Sequence, residues 1–439
     1  MKQKAKRLSA FILTAAITLT LTACAGSSTI GYDDTMPQCD PANITHRTML
    51  RNEYATMKGA EGYYYTESPT GKQKQTVFYY DVNTKEAIPL CAKPQCVHDG
   101  GDFCVATGGE FMVYTLFYNN YIYKLCYENA DAEMYSYKLL RGDMQGNELS
   151  VVSDIFTSPV GLQIDISNVF CHYGMMFFAA KKYYENKPTN HIYSVNLNSG
   201  EVKEIEIPDA EKYERYPYMT ADKDYLYIAT EDEVMAPNQS GVKMDADTVM
   251  HRYNLKTGEI ETVPDMPKIY SSFTVDNGII YYTTVNRSDN TFSLISYDTE
   301  KKETKTLVEN RQMVYMDSKF ISGNGAKVVT DRKYLYITMP CGSGFAEVND
   351  KRGMELYIYD MDGKQLYEGV LSTKEPKDSE TYAFSAIDGE VYLLCRFIEY
   401  VGTNGFKIDE ASGLYTIKTE ELAKGTTDWQ KLFQLKEMI

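Results

Sequence analysis

The chain has few of the residues around which enzyme sites are commonly built. Its 439 residues include one tryptophan and five histidines, and the histidines are dispersed along the sequence. We find no Gly-x-Ser-x-Gly elbow, no His-Glu-x-x-His pair, no phosphate-binding loop and no dinucleotide fingerprint. These absences exclude the enzyme classes that carry such local motifs. They leave open a site whose groups come from distant parts of the chain.

The chain is also short of positive charge. Lysine and arginine together number 45 against 61 aspartates and glutamates, which gives a formal net charge of −16. An acidic surface of this kind repels nucleic acid and favours solubility beside a charged envelope. We therefore expect no nucleic-acid partner.

The N-terminus differs in composition from everything that follows it. Four basic residues among the first seven precede an apolar, hydroxyl-rich run over residues 11–20, and the sequence Leu-Thr-Ala-Cys ends at Cys24. This pattern predicts a signal peptide. The last four residues resemble the lipobox of bacterial lipoproteins, which implies removal of residues 1–23 and acylation of Cys24. The alternative is an ordinary secretory signal in which the cysteine is coincidental.

Acylation at Cys24 would fix the location of the protein. Several acyl chains on one residue anchor a protein stably, so we expect an extracytoplasmic protein attached to the cell membrane through Cys24. Loss of four basic residues with the signal peptide moves the net charge from −16 to −20. Residues 24–47, which are rich in small and polar residues and have little periodicity, are interpreted as a flexible tether.

What the chain has in abundance is tyrosine, 38 residues, arranged in a repeat. A short strand-like run recurs seven times at intervals of 50 to 58 residues, each with an aromatic residue at its centre. These marker residues are Tyr65, Tyr123, Phe177, Tyr227, Tyr281, Tyr336 and Tyr392. A strand-based repeat of this period predicts a β-propeller, in which each blade buries its faces against its neighbours.

Each repeat contains further strand signals around its marker. A second run follows and leads into turns such as Asn-Ser-Gly, Lys-Thr-Gly and Met-Asp-Gly, which are typical of hairpins. Another short run precedes the marker, so we count four strands per unit. Repeat starts are predicted near residues 50, 110, 165, 217, 272, 327 and 382.

The length agrees with a single closed ring. Seven units of about 55 residues need about 385 residues, and the stretch over residues 48–439 supplies them without room for a second domain. We therefore predict an all-β fold, a single propeller of seven four-stranded blades. An open β-solenoid, two smaller stacked propellers, or a ring of six or eight blades are the alternatives.

The connection that leaves the first repeat holds a compact group of cysteines. Cys91, Cys96, His98 and Cys104 lie within 14 residues. Three interpretations stay open for them. A secreted location favours a disulfide between two of the cysteines, which would staple a long loop. Three thiolates and an imidazole also suit a tetrahedral zinc ion, although the spacing is not that of a familiar zinc knuckle. The third is free thiols, with His98 as a hydrogen-bonding residue of the loop.

With these motifs in view, the chain resembles a family of uncharacterised surface lipoproteins of Gram-positive anaerobes. The resemblance rests on the lipobox, on the tyrosine-rich repeats and, above all, on the Leu-Cys-x-Lys-Pro-x-Cys-x-His-Asp element at residues 90–99. The repeats of that family resemble propellers likened to those of low-density-lipoprotein receptors. The family carries no established activity that could be transferred to residues of this chain.

Two functions remain after this reading. The first is a non-enzymatic binding or scaffold module, anchored by lipid, that recognises a peptide, a glycan or an envelope protein. The second is a secreted hydrolase or lyase with its site in the propeller funnel, where carboxylates from several blades can meet without any local sequence motif. No cofactor is expected beyond zinc at the cysteine loop.

Overall fold

The computed structural model shows an all-β protein with seven blades in a ring. It describes residues 31–39, 56–59, 61–67, 76–98, 104–108, 111–162, 164–184, 187–210, 213, 215–232, 247–264, 266, 272–286, 288–313, 326–341, 353–371, 379–401, 405–408 and 412–434. Cys24 and the signal peptide lie outside these ranges. The predicted seven-bladed propeller is confirmed.

The first four blades follow one another along the chain, and each is a four-stranded antiparallel sheet. Blade 1 consists of β1 (Thr56–Lys58), β2 (Gly62–Glu67), β3 (Thr76–Asp81) and β4 (Glu86–Pro89). Blade 2 consists of β5 (Phe111–Tyr118), β6 (Tyr121–Asn129), β7 (Met134–Asp143) and β8 (Leu149–Pro159). Blade 3 consists of β9 (Ile164–His172), β10 (Met175–Tyr184), β11 (Lys187–Asn196) and β12 (Val202–Ile205). Blade 4 consists of β13 (Arg215–Asp222), β14 (Tyr225–Asp232), β15 (Asp247–Asn254) and β16 (Ile260–Thr262).

The last three blades repeat the pattern, with one addition. Blade 5 consists of β17 (Ser272–Asp276), β18 (Ile279–Asn286), β19 (Thr291–Asp298) and β20 (Glu303–Gln312). Blade 6 consists of β21 (Lys327–Thr330), β22 (Tyr334–Cys341), β23 (Gly353–Asp360) and β24 (Gln365–Leu371). Blade 7 consists of β25 (Ser379–Ile387), β26 (Glu390–Val401), β28 (Gly413–Lys418) and β29 (Gln430–Gln434), with the short β27 (Gly405–Ile408) added to β26. A short helix, α1 (Thr419–Ala423), follows β28, and within the described ranges no helix is long and apolar enough to span a bilayer.

The order of strands within a blade runs from the axis outwards. In blade 5 every residue of the first strand, β17, is buried, whereas the fourth, β20, is mostly exposed. First strands of successive blades also touch, as β9 does β13 and β13 does β17. Because the strands alternate in direction, the turns between first and second strands and those between third and fourth strands lie on one face, which we call the AB face. The turns between second and third strands lie on the opposite face, which we call the BC face.

The marker residues lie in the second strand of each blade, as the repeat predicts. All seven are nearly inaccessible, none more than 4% exposed, and they pack between blades. The described residues form seven hydrophobic clusters, one at each junction of neighbouring blades. The dense tyrosine content is therefore used chiefly to bury apolar ring surface between blades.

The ring closes without exchanging strands between its ends. Every sheet is drawn from one continuous stretch of chain, so blade 7 and blade 1 meet only by packing. In that closing cluster Tyr65 stacks on Phe433 with ring centroids 4.3 Å apart. Tyr63 of blade 1 lies 6.4 Å from Tyr392 of blade 7, centroid to centroid. The closure therefore depends on aromatic burial.

The turn chemistry read from the sequence also holds. Gly200, Gly258 and Gly363, the glycines of the three turns named above, have φ of 75°, 73° and 91°. Glycine adopts this left-handed conformation at little cost because it has no Cβ. Each of these turns joins the third strand of a blade to its fourth.

Residues 31–39, part of the segment interpreted as a tether, lie against the AB face of the ring. Cys39 at the end of this segment is buried in the hydrophobic cluster between blades 3 and 4. We call residues 31–39 the strap. The strap is docked, while the division of the chain at residues 23, 24, 47 and 48 stays a prediction.

Candidate metal centre

The cysteine loop connects β4 of blade 1 with β5 of blade 2, and its two described parts are fixed to both blades. The backbone N–H of Leu90 donates to the carbonyl of Val77, and the N–H of Val77 donates to the carbonyl of Ala106, each over 2.9 Å. The N–H of Ala92 donates over 2.8 Å to the carbonyl of Gly146, in the turn between β7 and β8. The loop therefore lies at the junction of blades 1 and 2.

A tight turn brings the second cysteine of the loop back towards the first. The N–H of Cys96 donates to the carbonyl of Lys93 over 3.3 Å. Pro94 occupies the second position of this turn and Gln95, with φ of 65°, the third. Proline favours the second position of a type II turn, and the third requires a positive φ. The local sequence thus specifies a reversal between Cys91 and Cys96.

The turn and the following residues gather all four candidate side chains into one cluster. The Sγ atoms of Cys91, Cys96 and Cys104 and a ring nitrogen of His98 all lie within 4.8 Å of one another. The Nδ1 of His98 is 3.5 Å from the Sγ of Cys104. In a tetrahedral zinc site with Zn–S bonds of about 2.3 Å, neighbouring sulfurs lie about 3.8 Å apart. The four side chains therefore form a cluster that could hold a metal ion.

Two of the thiols differ in their acidity. Burial raises the pKa of the Cys91 thiol to about 11. Burial also opposes ionisation of Cys104, but hydrogen bonds from His98 and Thr107 outweigh it and lower the pKa of its thiol to about 6. Because the thiolate is the form that binds metals, Cys104 is prepared for coordination at neutral pH.

A buried lysine accompanies the cluster. Lys124, in the middle of β6, is wholly inaccessible, and its Nζ donates over 2.9 Å to the carbonyl of Ala106. Among the described residues no carboxylate pairs with it. Burial lowers the pKa of Lys124 to about 7, and the neighbouring thiols of Cys104, Cys126 and Cys91 counteract part of that effect. Buried cations are normally compensated by an opposite charge, and the thiols are the anionic groups at hand.

The sequence located the four side chains of the cluster but missed the lysine. Within the described ranges no disulfide joins any of these three cysteines to another cysteine. Lys124 is 20 positions beyond Cys104 and belongs to a marker strand. The sequence feature that could have identified Lys124 is its position as a charged residue within the otherwise apolar run Tyr-Ile-Tyr-Lys-Leu-Cys-Tyr. Such a residue in a buried strand requires a partner.

The remaining candidate side chains are not gathered into a second cluster of this kind. Across the described ranges, Cys91, Cys96, His98 and Cys104 form the one group of metal-ligand side chains that converge. The described histidines elsewhere lie apart from this cluster. His172 is buried beneath the strap, and His191 on blade 3 pairs with Glu204 over 2.6 Å.

Comparisons with known proteins find only distant structural similarities. No protein-family model and no curated protein matches the chain. Among solved structures, it is similar to dipeptidyl peptidase 4 of Porphyromonas gingivalis, with 12% identity and a TM-score of 0.44 over 91% of this chain and 60% of that one. It is also similar to an oligogalacturonate lyase of Vibrio parahaemolyticus, with 13% identity and a TM-score of 0.44 over 84% and 92%. Oligopeptidase B of Leishmania major gives 10% identity and a TM-score of 0.47 over 89% and 49%. The chain thus spans between about half and three fifths of the two peptidases.

Proposed function

We propose that the protein is a lipid-anchored extracytoplasmic propeller that acts as a non-enzymatic binding or scaffold module for an envelope or extracellular ligand. The observation that carries this proposal is the state of the carboxylates at the axial end of blades 4 and 5. Asp222 and Asp276 both bind the guanidinium of Arg332, over 3.1 and 3.0 Å, and the strap lies over them. Carboxylates engaged in this way serve the ring, whereas a hydrolase or lyase would need them free to exchange protons.

The cysteine loop has a supporting role in this proposal. A structural zinc ion bound by Cys91, Cys96, His98 and Cys104 would hold the connection between blades 1 and 2 in place. Three thiolates around a divalent zinc ion leave one negative charge, and Lys124 supplies one positive charge beside it. A disulfide between Cys91 and Cys96 would also leave one charge opposite Lys124, because the remaining Cys104 thiol is acidic. The zinc proposal therefore rests on the convergence of all four ligand side chains.

Anchoring is tested by Cys24→Ala in a Gram-positive host. We expect the variant to be processed abnormally and to leave the membrane fraction, while Cys39→Ser, which changes a buried cysteine of the strap, stays with the membrane. Unchanged mass and unchanged membrane association of Cys24→Ala would overturn the lipid anchor.

Binding and catalysis are separated by presenting one pool of envelope glycans and peptides to the purified full chain in two assays. We expect retention of a ligand on the immobilised protein and no turnover of any member of the pool. Turnover that survives further purification would replace the binding module with the hydrolase or lyase.

The zinc centre is tested by metal analysis and intact mass under non-reducing conditions. We expect stoichiometric zinc in the wild-type protein, its loss in Cys104→Ser, and its retention in Cys126→Ser, which alters a neighbouring buried cysteine that is not a ligand. A mass about two units below that of the reduced chain, without zinc, would show a disulfide instead.

A further inference from the structure

The strap makes contacts with several blades, all of them at the AB face. Its backbone pairs with the turn between β9 and β10: the N–H of Asp33 donates to the carbonyl of Tyr173, and the N–H of Tyr173 donates to the carbonyl of Pro37, each over 2.9 Å. The Tyr118 hydroxyl at the end of β5 also donates to the carbonyl of Pro37, over 2.6 Å. Near its start, the hydroxyl of Tyr32 donates to Asp224 of blade 4 over 3.0 Å.

The C-terminal end of the strap is held by buried groups. The N–H of Cys39 donates to Nδ1 of His172 over 3.0 Å, and the thiol of Cys39 donates to the carbonyl of Ala221 over 3.0 Å. His172 in turn donates from Nε2 to the carbonyl of Lys223 over 2.7 Å. Since Nδ1 accepts and Nε2 donates, the imidazole is neutral, and it joins the strap to blades 3 and 4.

Arg332, in the turn between β21 and β22, completes the attachment from the far side of the axis. Its Nη2 donates to the side-chain oxygen of Gln38 and to the carbonyl of Cys39, each over 3.2 Å. Its Nη1 reaches Asp222 and Asp276. One guanidinium therefore joins the strap to blades 4, 5 and 6.

These contacts have a consequence for orientation, which rests on the proposed lipid at Cys24. Gly31, the first residue of the strap, is seven positions beyond Cys24. An extended chain spans at most about 3.5 Å per residue, so Gly31 lies within about 25 Å of the acylated residue. The lipid is therefore close to the AB face, because the linker between Cys24 and the strap is short.

We propose that the docked strap holds the AB face towards the membrane, so that the BC face, with the turns between second and third strands, points away from it. A free tether over residues 24–47 would allow the ring to present any face. The strap removes that freedom because it is bound across the axis before the chain enters blade 1. The outward face thus includes the exposed turns at Asp131 of blade 2 and Asp289 of blade 5.

The orientation is measured by energy transfer from a dye on the protein to a dye-labelled lipid headgroup. An azide-bearing amino acid is placed either at Lys301, in an AB-face turn, or at Asp289, in a BC-face turn. Both positions are exposed, and both flank β19 of blade 5, so they form a matched pair at the same radius. The eight residues of β19 separate them by about 26 Å along the strand. The lipidated full chain is reconstituted in vesicles of phosphatidylcholine and phosphatidylglycerol.

We expect transfer about two- to fourfold more efficient from Lys301 than from Asp289, since the second position is farther from the lipid by the length of a strand. Replacing residues 31–39 by a Gly-Ser segment of equal length should bring the two efficiencies together without releasing the protein from the vesicles. Equal or inverted efficiencies with the strap intact would overturn the proposal while leaving the lipid anchor standing.

Failure of the lipid anchor is recognised separately, because the chain would then be absent from the host membrane. In that event a lipid is attached enzymatically to the N-terminus of a chain that begins at Cys24, and the same pair of positions is measured. The docked strap predicts the same difference, and its absence there would equally refute the proposed orientation.

Discussion

Arg332 donates a hydrogen bond of 3.2 Å to the backbone carbonyl of Cys39, although 293 positions separate the two residues along the chain. The bond joins a segment that precedes the propeller to the turn at the axial end of blade 6. It belongs to a group in which the same guanidinium forms salt bridges with both Asp222 and Asp276. The N-terminal strap and the ring are therefore stabilised by one shared charge centre.

We expect Arg332→Met to lower the free energy of unfolding by about 2 kcal/mol, because it leaves two buried carboxylates facing one another without a cation. The expected loss is smaller than the loss caused by breaking a wholly buried ion pair, since 32% of the Arg332 side chain is exposed. Lys333→Met is the matched control. Its salt bridge to Glu420 is exposed on both sides and should contribute little to stability. Urea unfolding of both variants measures the difference, and equal losses would show that Arg332 has no special role.

The stability conferred by His172 should disappear in acid. Burial lowers the pKa of His172 to about 4, below the value of 6.5 for an exposed histidine. Because its pKa is lowered, His172 is neutral in the folded protein. Its contribution to the free energy of unfolding is therefore complete above pH 6.5 and is lost as the pH falls towards 4. The full effect corresponds to about 3 kcal/mol.

The measurement compares wild type with His172→Gln, a variant that does not titrate at this position, by urea unfolding from pH 7.5 to pH 4. We expect the wild-type advantage to shrink across this range, as protonation of Nδ1 breaks the hydrogen bond from Cys39. The pKa of the imidazole is also affected by the charges of Arg332, Asp222 and Asp224, and these residues are unchanged in the variant. A constant difference between wild type and His172→Gln would contradict the assignment.

We expect Lys124→Met to weaken zinc binding by about 10- to 100-fold, because it removes the positive charge that compensates three thiolates. Competition with a chromophoric chelator measures the affinity. Lys138→Met is the control, since Lys138 lies on the adjacent strand and pairs with Glu128 outside the cluster. Unchanged zinc affinity in Lys124→Met, with the fold intact, would show that the lysine does not compensate the centre.

Two tyrosine-to-phenylalanine changes should differ although both residues are fully buried. The Tyr336 hydroxyl donates over 2.9 Å to Asp331, which also accepts from the N–H of Gly389 in the next blade. Burial raises the pKa of Tyr336 well above its ordinary value, and Asp331 raises it further. We expect Tyr336→Phe to cost about 1 to 2 kcal/mol of unfolding free energy.

The Tyr282 hydroxyl, by contrast, is buried with no hydrogen-bond partner in the described part of the chain. Tyr282→Phe should therefore be neutral or slightly stabilising. Thermal unfolding of the two variants checks the order. A greater loss for Tyr282→Phe would show that hydrogen bonding across blades is not what distinguishes them.

The architecture could be predicted from the sequence alone, because the residues that specify the strands and turns are close together along the chain and recur at a fixed spacing. The recurring marker residues at Tyr65, Tyr123 and their five counterparts each had to be buried within a strand, so their spacing was the blade spacing. The turns at Gly200, Gly258 and Gly363 were equally local, because glycine is needed where φ is positive. The loop holding Cys91, Cys96, His98 and Cys104 was visible for the same reason, since its members are close along the chain.

Contacts between residues that are far apart along the chain became visible only in the tertiary structure. Lys124 reaches the cysteine cluster because β6 lies beside the loop, and Arg332 reaches Cys39 because the ring brings blade 6 across the axis from the strap. The sequence likewise left residues 31–39 looking like a plain tether. Their order comes from hydrogen bonds to residues 81 to 294 positions away, and contacts at such separations leave no periodic trace in a single chain.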